Sequence, residues 1–158
     1  MALEFRKAQP QDIPNMFTLR ASTRENPFSR EDLAEIGITP ESTVAAMLSG
    51  RSKSWVCLVG STLAGFCTGD SRTGEVLVVA VASGFEGRGI GGRLLRLVGD
   101  SLRSAGCVRL WLAASPDSSV RAHGFYRHLK WRPTGETIEN GDEILECTPN
   151  NVWSGRES

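Results

Sequence analysis

Apolar residues recur along the chain at two spacings, one typical of amphipathic helices and one typical of strands. In the first half, the pattern predicts an edge strand, a helix with Asp12 as its N-cap, a short helical turn, and a second helix that begins at Thr39-Pro40 and stops at Gly50. Two strands joined by a tight turn at Gly60-Ser61 follow, and an interior glycine in the second favours a bulge. These predicted segments are residues 3–6, 12–21, 30–33, 39–50, 55–59 and 63–68.

The second half alternates strands with helices. A buried strand over residues 75–81 precedes a long amphipathic helix over 89–105, which ends at Gly106. A strand over 108–112, a helix capped by Ser118 or Ser119, and a hairpin over 138–147 turned at Asn140-Gly141 complete the pattern. Interleaved strands and helices predict an α/β or α+β fold with a mixed sheet flanked by helices.

Length and charge narrow the class of protein. The chain has 158 residues, 40% of them hydrophobic, which is enough for one sizeable core and predicts a single domain over 1–158 with a polar tail from about 150. Eighteen basic and eighteen acidic residues cancel, so no global field favours nucleic acid or an anionic membrane as a partner. Neither a signal peptide nor a membrane-spanning run is recognisable, which predicts a cytoplasmic protein. The four cysteines lack metal-site spacing and are expected to be reduced core residues.

The richest chemistry lies in the glycine-rich stretch that joins the strand over 75–81 to the long helix. Its residues are Gly87, Arg88, Gly89, Ile90, Gly91 and Gly92. Closely spaced glycines let backbone N–H groups approach an anion, and the start of the helix adds the positive end of its dipole. The stretch is therefore predicted to hold phosphate, with Arg88 as the side chain placed to contact it.

Two patterns in this order carry a resemblance. Glu86, Gly89 and Gly91 fall on one signature, and Phe125-Tyr126 with Trp131 fall on a later one. From about residue 75 to 135 the chain resembles the GNAT superfamily of N-acetyltransferases, which implies the fold of that superfamily. The sequence departs from its pattern in three places: Glu86 replaces the usual Gln or Arg, Ser119 stands where many members have Asn, and Lys130 replaces the Gly before Trp131.

The resemblance implies an acetyl-CoA-dependent acyltransferase that works by direct attack of an amine on the thioester. In similar proteins the pyrophosphate rests on the glycine loop and the pantetheine arm lies between two splayed strands. The implied backbone contacts are Val79, Ala80 and Val81, with residues 108–112 across the gap and Ser119 as a further cofactor contact. Tyr126 occupies the position of the general acid. Glu75 aligns with the base of the histone acetyltransferases, while a water relay or a merely solvated carboxylate are the alternatives.

The acceptor is less defined. In this fold the N-terminal helices shape the acceptor pocket, which makes Arg24 to Ser29 and Trp55 candidates. We expect a small-molecule or peptide amine, no metal, no nucleic acid and no membrane partner, and a homodimer stays open.

Two other classes of function are weighed. Gly87 to Gly92 also satisfies the dinucleotide-binding pattern, but residues 82–86 separate it from the strand and the next strand ends in Ala113-Ala114 rather than an acidic residue. A non-catalytic acyl-CoA sensor of the same fold is the second alternative, which Glu86 and Ser119 keep open.

Overall fold

A computed structural model describes residues 2–23, 28–117 and 121–147, and in this part of the chain seven strands form one mixed sheet. The strands are β1 (Glu4–Lys7), β2 (Ser52–Val59), β3 (Thr62–Asp70), β4 (Glu75–Val81), β5 (Leu110–Ala114), β6 (Arg132–Thr137) and β7 (Glu143–Cys147). Their order across the sheet is β1-β2-β3-β4-β5-β7-β6. Neighbours run antiparallel except β4 and β5, which are parallel. The predicted mixed sheet with flanking helices is confirmed.

Helices cover both faces of this sheet. They are α1 (Ile13–Ser22), α2 (Arg30–Glu35), α3 (Pro40–Leu48), α4 (Ile90–Ser104) and α5 (Arg121–His128). The predicted starts of α2 and α3 are explained by capping, since the Ser29 and Thr39 hydroxyls each accept a backbone N–H of the first turn at 3.0 Å. The predicted cap of α5 at Ser118 or Ser119 lies outside the described residues.

Two hydrophobic clusters divide the core. On one side of the sheet, which we call the α4 face, Ile90, Leu94, Val98 and Leu102 of α4 are fully buried against strand residues. Phe125 and Tyr126 of α5, and Leu129 directly after it, pack around them. On the other side, the α1 face, Ile13, Met16 and Phe17 of α1 pack on Val56, Phe66 and Ala80. The amphipathic face predicted for α4 is confirmed.

Three details differ from the sequence predictions. The Asp12 side chain does not cap α1, because its carboxylate accepts from the Arg6 guanidinium at 2.8 and 3.0 Å and from the Gln9 backbone N–H at 2.7 Å. β5 begins at Leu110 rather than at residue 108, since Val108 is exposed in the connection after α4. The turn at Asn140-Gly141 is confirmed, but the strand before it is β6, which ends before Ile138.

Candidate active site

β4 and β5 meet at only one point. Their single register pair joins Glu75 to Trp111, and the Trp111 backbone N–H donates to the Gly74 carbonyl at 3.1 Å. Within the described residues no further pairing links the two strands, so they diverge towards their C-terminal ends. We call the gap between residues 77–81 of β4 and residues 112–114 of β5 the wedge. Among the described residues, the backbone groups that line the wedge on β4 have no strand partner on that side and are available to a ligand.

A bulge lies near the closed end of the wedge. Thr68 pairs with Val78 and Gly69 pairs with Val76, so Leu77 has no opposing residue on β3. The extra residue reverses the alternation of the strand, and Val76 faces α4 whereas Val78 faces α1. Sequence reasoning missed this bulge. Gly69 opposite it is the only hint in the sequence, because a Cβ there would lie 2.8 Å from Val98 and Leu102 side-chain carbons.

The glycine-rich loop leaves β4 at the open end of the wedge. Gly84, Gly87 and Gly89 adopt φ values of 94°, 82° and 78°, in the left-handed region that favours glycine. Among the described residues, no protein atom comes within 4 Å of a Cβ built on any of the three. The requirement for glycine at these positions is therefore conformational and leaves the surface of the loop accessible.

Gly89 is also the N-cap of α4, so the first helical turn presents its backbone donors beside this loop. The first intrahelical bond of the turn runs from the Arg93 N–H to the Gly89 carbonyl at 3.1 Å. The N–H groups of Ile90, Gly91 and Gly92 precede that bond, and their donors point out of the helix start as an anion-binding arrangement requires. The Arg88 guanidinium lies over the Phe85 ring at 5.3 Å and donates to the Gly84 carbonyl at 3.4 Å. Arg88 therefore stabilises the conformation of this loop through its contacts with Phe85 and Gly84.

Gly91 has a second role that the sequence analysis did not predict. A Cβ on Gly91 would lie 3.2 Å from the Phe125 ring and 3.6 Å from Val81, and one on Gly92 would lie 3.7 Å from Leu129. The small residues at the start of α4 therefore let α5 pack closely beside the end of β4. This packing brings α5 to the wedge.

Tyr126 of α5 sits between aromatic neighbours at this position. Its ring makes edge contacts with Phe125 at 5.0 Å and Trp131 at 6.5 Å between centroids. Burial raises the pKa of the phenol well above its usual value, Cys67 on β3 raises it further, and Arg20 on α1 opposes the shift. Since Cys67 lies on the α4 face and Arg20 belongs to α1, the hydroxyl interacts with groups from both sides of the sheet.

The turn after α5 fixes the orientation of this helix. The Trp131 backbone N–H donates to the Tyr126 carbonyl at 3.1 Å, and Lys130 has a φ of 75°. It is the one non-glycine residue with positive φ in the described part of the chain. The departure from Gly at this position therefore imposes a strained conformation on Lys130.

Glu75 lies at the closed end of the wedge. Alternation with Val76, which faces α4, places the Glu75 side chain on the α1 face. Burial raises the pKa of its carboxyl above the ordinary value, and the charge of Asp70 raises it further. Asp70 itself stays ionised because Arg51 donates to it at 3.0 to 3.3 Å.

The sequence matches the model of a known protein family. The model of the acetyltransferase (GNAT) family matches residues 13–131, more than half of the chain. The chain belongs to the GNAT family. No curated protein matches its sequence.

Solved structures of the GNAT fold cover nearly the whole chain. The PaiA N-acetyltransferase of Thermoplasma acidophilum, in complex with coenzyme A, is 18% identical with a TM-score of 0.75 over 94% of this chain and 99% of its own. YncA of Salmonella typhimurium, with its cofactor acetyl-CoA, is 12% identical with a TM-score of 0.73 over 100% of both chains. A GNAT-family acetyltransferase of Staphylococcus aureus Mu50 is 13% identical with a TM-score of 0.74 over 93% and 99%. At these identities the likeness shows the fold alone.

Several candidate residues of this GNAT-family chain lie away from the wedge. Trp55 donates its indole N–H to the Ser101 hydroxyl of α4 at 3.0 Å, so it packs on the α4 face and not beside the N-terminal helices. Arg93, on the polar side of α4, stacks over the Phe5 ring of β1 at 4.3 Å. Ser119 lies outside the described residues.

The described residues contain no group of three His, Cys, Asp or Glu side chains that could hold a metal ion. None of their helices combines the length and apolar character needed to cross a bilayer.

Proposed function

We propose that the protein transfers an acetyl group from acetyl-CoA to a primary amine by direct attack of the amine. The observation that carries the proposal is the wedge beside the glycine-rich loop, since the described residues show no pairing between β4 and β5 beyond Glu75 and Trp111. A parallel sheet interior normally pairs both edges of every strand, so an unpaired edge beside an anion-binding loop suits a ligand with a phosphate at one end and an extended arm.

The residues of the loop fit the proposed co-substrate. Acetyl-CoA supplies the acetyl thioester, and its pyrophosphate suits the backbone donors of residues 87–92 with Arg88 bracing them. Val79, Ala80 and Val81 offer the backbone groups for the arm, since they belong to the part of β4 beyond its single pair with β5. Glu86 is half-buried in the same loop, and its charge lowers the affinity that this arrangement can reach.

Tyr126 is proposed to be the general acid. As the amine nitrogen bonds to the thioester carbon and the carbon–sulfur bond breaks, the phenol donates its proton to the departing thiolate. The raised pKa supports this role in one respect, because it keeps the hydroxyl protonated throughout the physiological range. Solvent then restores the proton to the phenol.

Glu75 is proposed to be the general base, acting directly or through water on the ammonium proton of the acceptor. A carboxyl whose pKa is raised by burial is a better base than an exposed one, since Brønsted efficiency increases as the pKa approaches the working pH. The side of the sheet that Glu75 faces is that of α1, from which an acceptor would enter.

The test follows thiol release from acetyl-CoA across a panel of amines. We expect Tyr126→Phe to lower kcat by roughly 10- to 10⁴-fold while the Kd for acetyl-CoA barely moves, because the packed ring stays and only the donor is lost. Near-wild-type kcat, under conditions where chemistry limits turnover, would exclude Tyr126 as the acid. Acetyl-CoA binding without thiol release for any amine would favour the non-catalytic sensor.

The base is tested through the pH profile. Below the pKa of Glu75 the carboxyl is protonated and cannot accept, so kcat/KM should fall on the acid side, and Glu75→Gln should remove that limb along with most of the activity. Asp70→Asn is the matched variant. Because the charge of Asp70 raises the pKa of Glu75, its removal should move the acid limb to lower pH with Glu75 intact. An acid limb that stays in place in both variants would assign the base to another group.

A further inference from the structure

Trp111 of β5 and Ile144 of β7 form a partly exposed apolar surface beside the wedge. Leu110 and Leu112 pack in the core of the α4 face, so Trp111 between them lies on the α1 face. Leu145 belongs to the same core, which places its neighbour Ile144 on the α1 face too. Trp111 pairs with the residue two positions after Ile144, and at this diagonal spacing a large aromatic side chain reaches its neighbour.

Within the described residues, the helices of the α1 face leave this surface uncovered. The apolar cluster beneath them takes its strand residues from β2, β3 and β4, and none of its described members belongs to β5, β6 or β7. The helix that follows β5 in the chain, α5, packs on the α4 face. An aromatic and an aliphatic side chain beside a few polar groups are what small-molecule sites generally present to a ligand.

Contacts on two sides fix the orientation of the Trp111 ring. Its indole N–H donates to the Thr73 carbonyl at 3.0 Å, and the Arg109 guanidinium carbon lies 5.8 Å from the ring centroid. Arg109 forms ion pairs with Glu146 and, at 3.3 Å, with Glu136. The ring therefore loses little conformational freedom when a ligand packs on it, and two carboxylates already balance the charge of the cation beside it.

Glu75 supplies the charge that identifies the ligand. It is the register partner of Trp111 on β4, and no ion pair in the described part of the chain includes its carboxylate. Since adjacent strands lie about 4.8 Å apart, an ammonium group beside Glu75 brings its substituent over Trp111. Ile144 lies two strand spacings from Glu75, about 10 Å, which one ring on a two-carbon chain can span. A carboxylate on the ligand would meet Glu75 as a like charge.

We propose that Trp111 and Ile144 bind the substituent of the acceptor, so that the acceptor is a small primary amine with an apolar substituent and no carboxylate. The inference rests on the proposed function, since it places the amine of that acceptor beside Glu75, the proposed base. It names the class of acceptor and the two residues that select it.

The experiment compares two pairs of acceptors. Hexylamine and cadaverine have the same length and differ in a terminal methyl or ammonium group, and 2-phenylethylamine and phenylalanine differ by a carboxylate. Thiol release from acetyl-CoA gives kcat and KM for each amine with the wild type, Trp111→Gln, Ile144→Thr and Ile138→Thr. Thermal unfolding verifies that each variant is folded. Ile138→Thr is the matched control, because Ile138 is an exposed isoleucine in the connection between β6 and β7.

We expect the wild type to prefer hexylamine and 2-phenylethylamine over their partners by roughly tenfold or more in kcat/KM. Trp111→Gln and Ile144→Thr should each reduce that preference by roughly threefold or more. The loss should appear as a higher KM for the apolar amine at nearly constant kcat, since binding of the substituent contributes equally to the ground state and the transition state. Ile138→Thr should leave the preference unchanged.

Each contrary result has a distinct meaning. If the amines react but the wild type shows no preference for the apolar members, this inference is wrong and the proposed function stands. If the preference exists and neither Trp111→Gln nor Ile144→Thr reduces it, the substituent binds elsewhere and the inference is wrong. An equal fall of kcat for both members of a pair would assign the two residues to the reaction or the fold, which also overturns it.

A failure of the proposed function looks different. In that case no amine of either kind releases thiol although acetyl-CoA binds, and this inference fails with it. Should Trp111→Gln not fold, Ile144→Thr decides alone against Ile138→Thr, because both replace a partly exposed isoleucine by another β-branched residue. An equal preference in these two variants would then refute the inference.

Discussion

Gly89 allows the proposed binding of pyrophosphate by the glycine-rich loop to be tested separately from the stability of the fold. Its φ of 78° lies in the left-handed region, and among the described residues no protein atom lies within 4 Å of a Cβ placed there. Gly89→Ala therefore introduces no clash, and its whole effect on folding is conformational. The left-handed conformation costs an L-residue about 1–2 kcal/mol, partly offset by about 0.4–1 kcal/mol from the stiffer unfolded chain. We expect the free energy of unfolding to fall by about 1 kcal/mol.

Binding should suffer more than folding. A residue that relaxes its φ at the N-cap of α4 turns the N–H donors of the first helical turn away from a bound anion, and its methyl group lies on the accessible side of the loop. We expect the affinity for acetyl-CoA to fall by at least about tenfold, which corresponds to about 1.4 kcal/mol. Titration calorimetry with acetyl-CoA measures this loss, and urea unfolding measures the stability.

Gly60→Ala is the control for that experiment. Gly60 lies in the turn between β2 and β3, has a φ of 63°, and likewise has no described protein atom within 4 Å of a built Cβ. It should lose a similar amount of stability with acetyl-CoA affinity unchanged. The reasoning is refuted if folded Gly89→Ala binds acetyl-CoA as tightly as the wild type, or if the two variants lose affinity to the same extent.

Three further predictions concern single side chains. Glu86→Gln removes a charge beside the proposed pyrophosphate, so acetyl-CoA affinity should rise, most at low salt, as calorimetry at two ionic strengths would show. Gly69→Ala forces a methyl group to 2.8 Å from Val98 and Leu102 and should destabilise the fold by about 1–3 kcal/mol in urea unfolding. Arg51 lowers the folded-state pKa of Asp70 below its ordinary 3.8, so this contribution to stability is present above that pH and is lost as the pH falls through the folded pKa. Urea midpoints against pH should therefore converge for the wild type and Asp70→Asn in strong acid.

A contradicting result or a control variant tests each of these three predictions. Weaker acetyl-CoA binding by Glu86→Gln would give that carboxylate a positive role in the loop. Gly124→Ala is the control for Gly69, because Gly124 lies within α5 with no described atom near a built Cβ and alanine there should stabilise the helix by up to about 1 kcal/mol. A difference between wild type and Asp70→Asn that persists unchanged below pH 2 would mean that ionisation of Asp70 does not carry its effect.

Much of the fold could be predicted because its signals are local. Caps at Ser29 and Thr39, the glycine stop after α3 and the apolar stripe of α4 each act within a few residues, and family motifs supplied the rest of the topology. The features missed depend on contacts between distant segments. The Leu77 bulge lies inside an unbroken apolar run, where no change of period marks an extra residue.

In the candidate site too, features set by local sequence could be predicted, whereas contacts between distant segments could not. The glycine-rich loop was predictable from its sequence, whereas the packing of Gly91 beneath Phe125 requires knowledge of where α5 lies. Arg93 belongs to the polar pattern of α4, yet it stacks on Phe5 from the first strand, which no helical spacing can reveal. The effect of the Arg20 charge on the pKa of Tyr126 had no signal in the sequence, because the two residues belong to α1 and α5, which lie far apart in the chain.

The single pair between Glu75 and Trp111 also has a mechanical consequence. It divides the sheet into a block of β1 to β4 and a block of β5 to β7, so backbone bonding contributes little to their cohesion and the helices and core must supply most of it. A co-substrate that hydrogen-bonds to the exposed edge of β4, as proposed, would stabilise this boundary between β4 and β5 as an added strand does. Saturation at 100 times its Kd would raise the free energy of unfolding by about 2.7 kcal/mol. Hydrogen exchange of the backbone amides at the boundary between β4 and β5 should then be slow in the complex and fast in the free protein, and so measure how much co-substrate is bound.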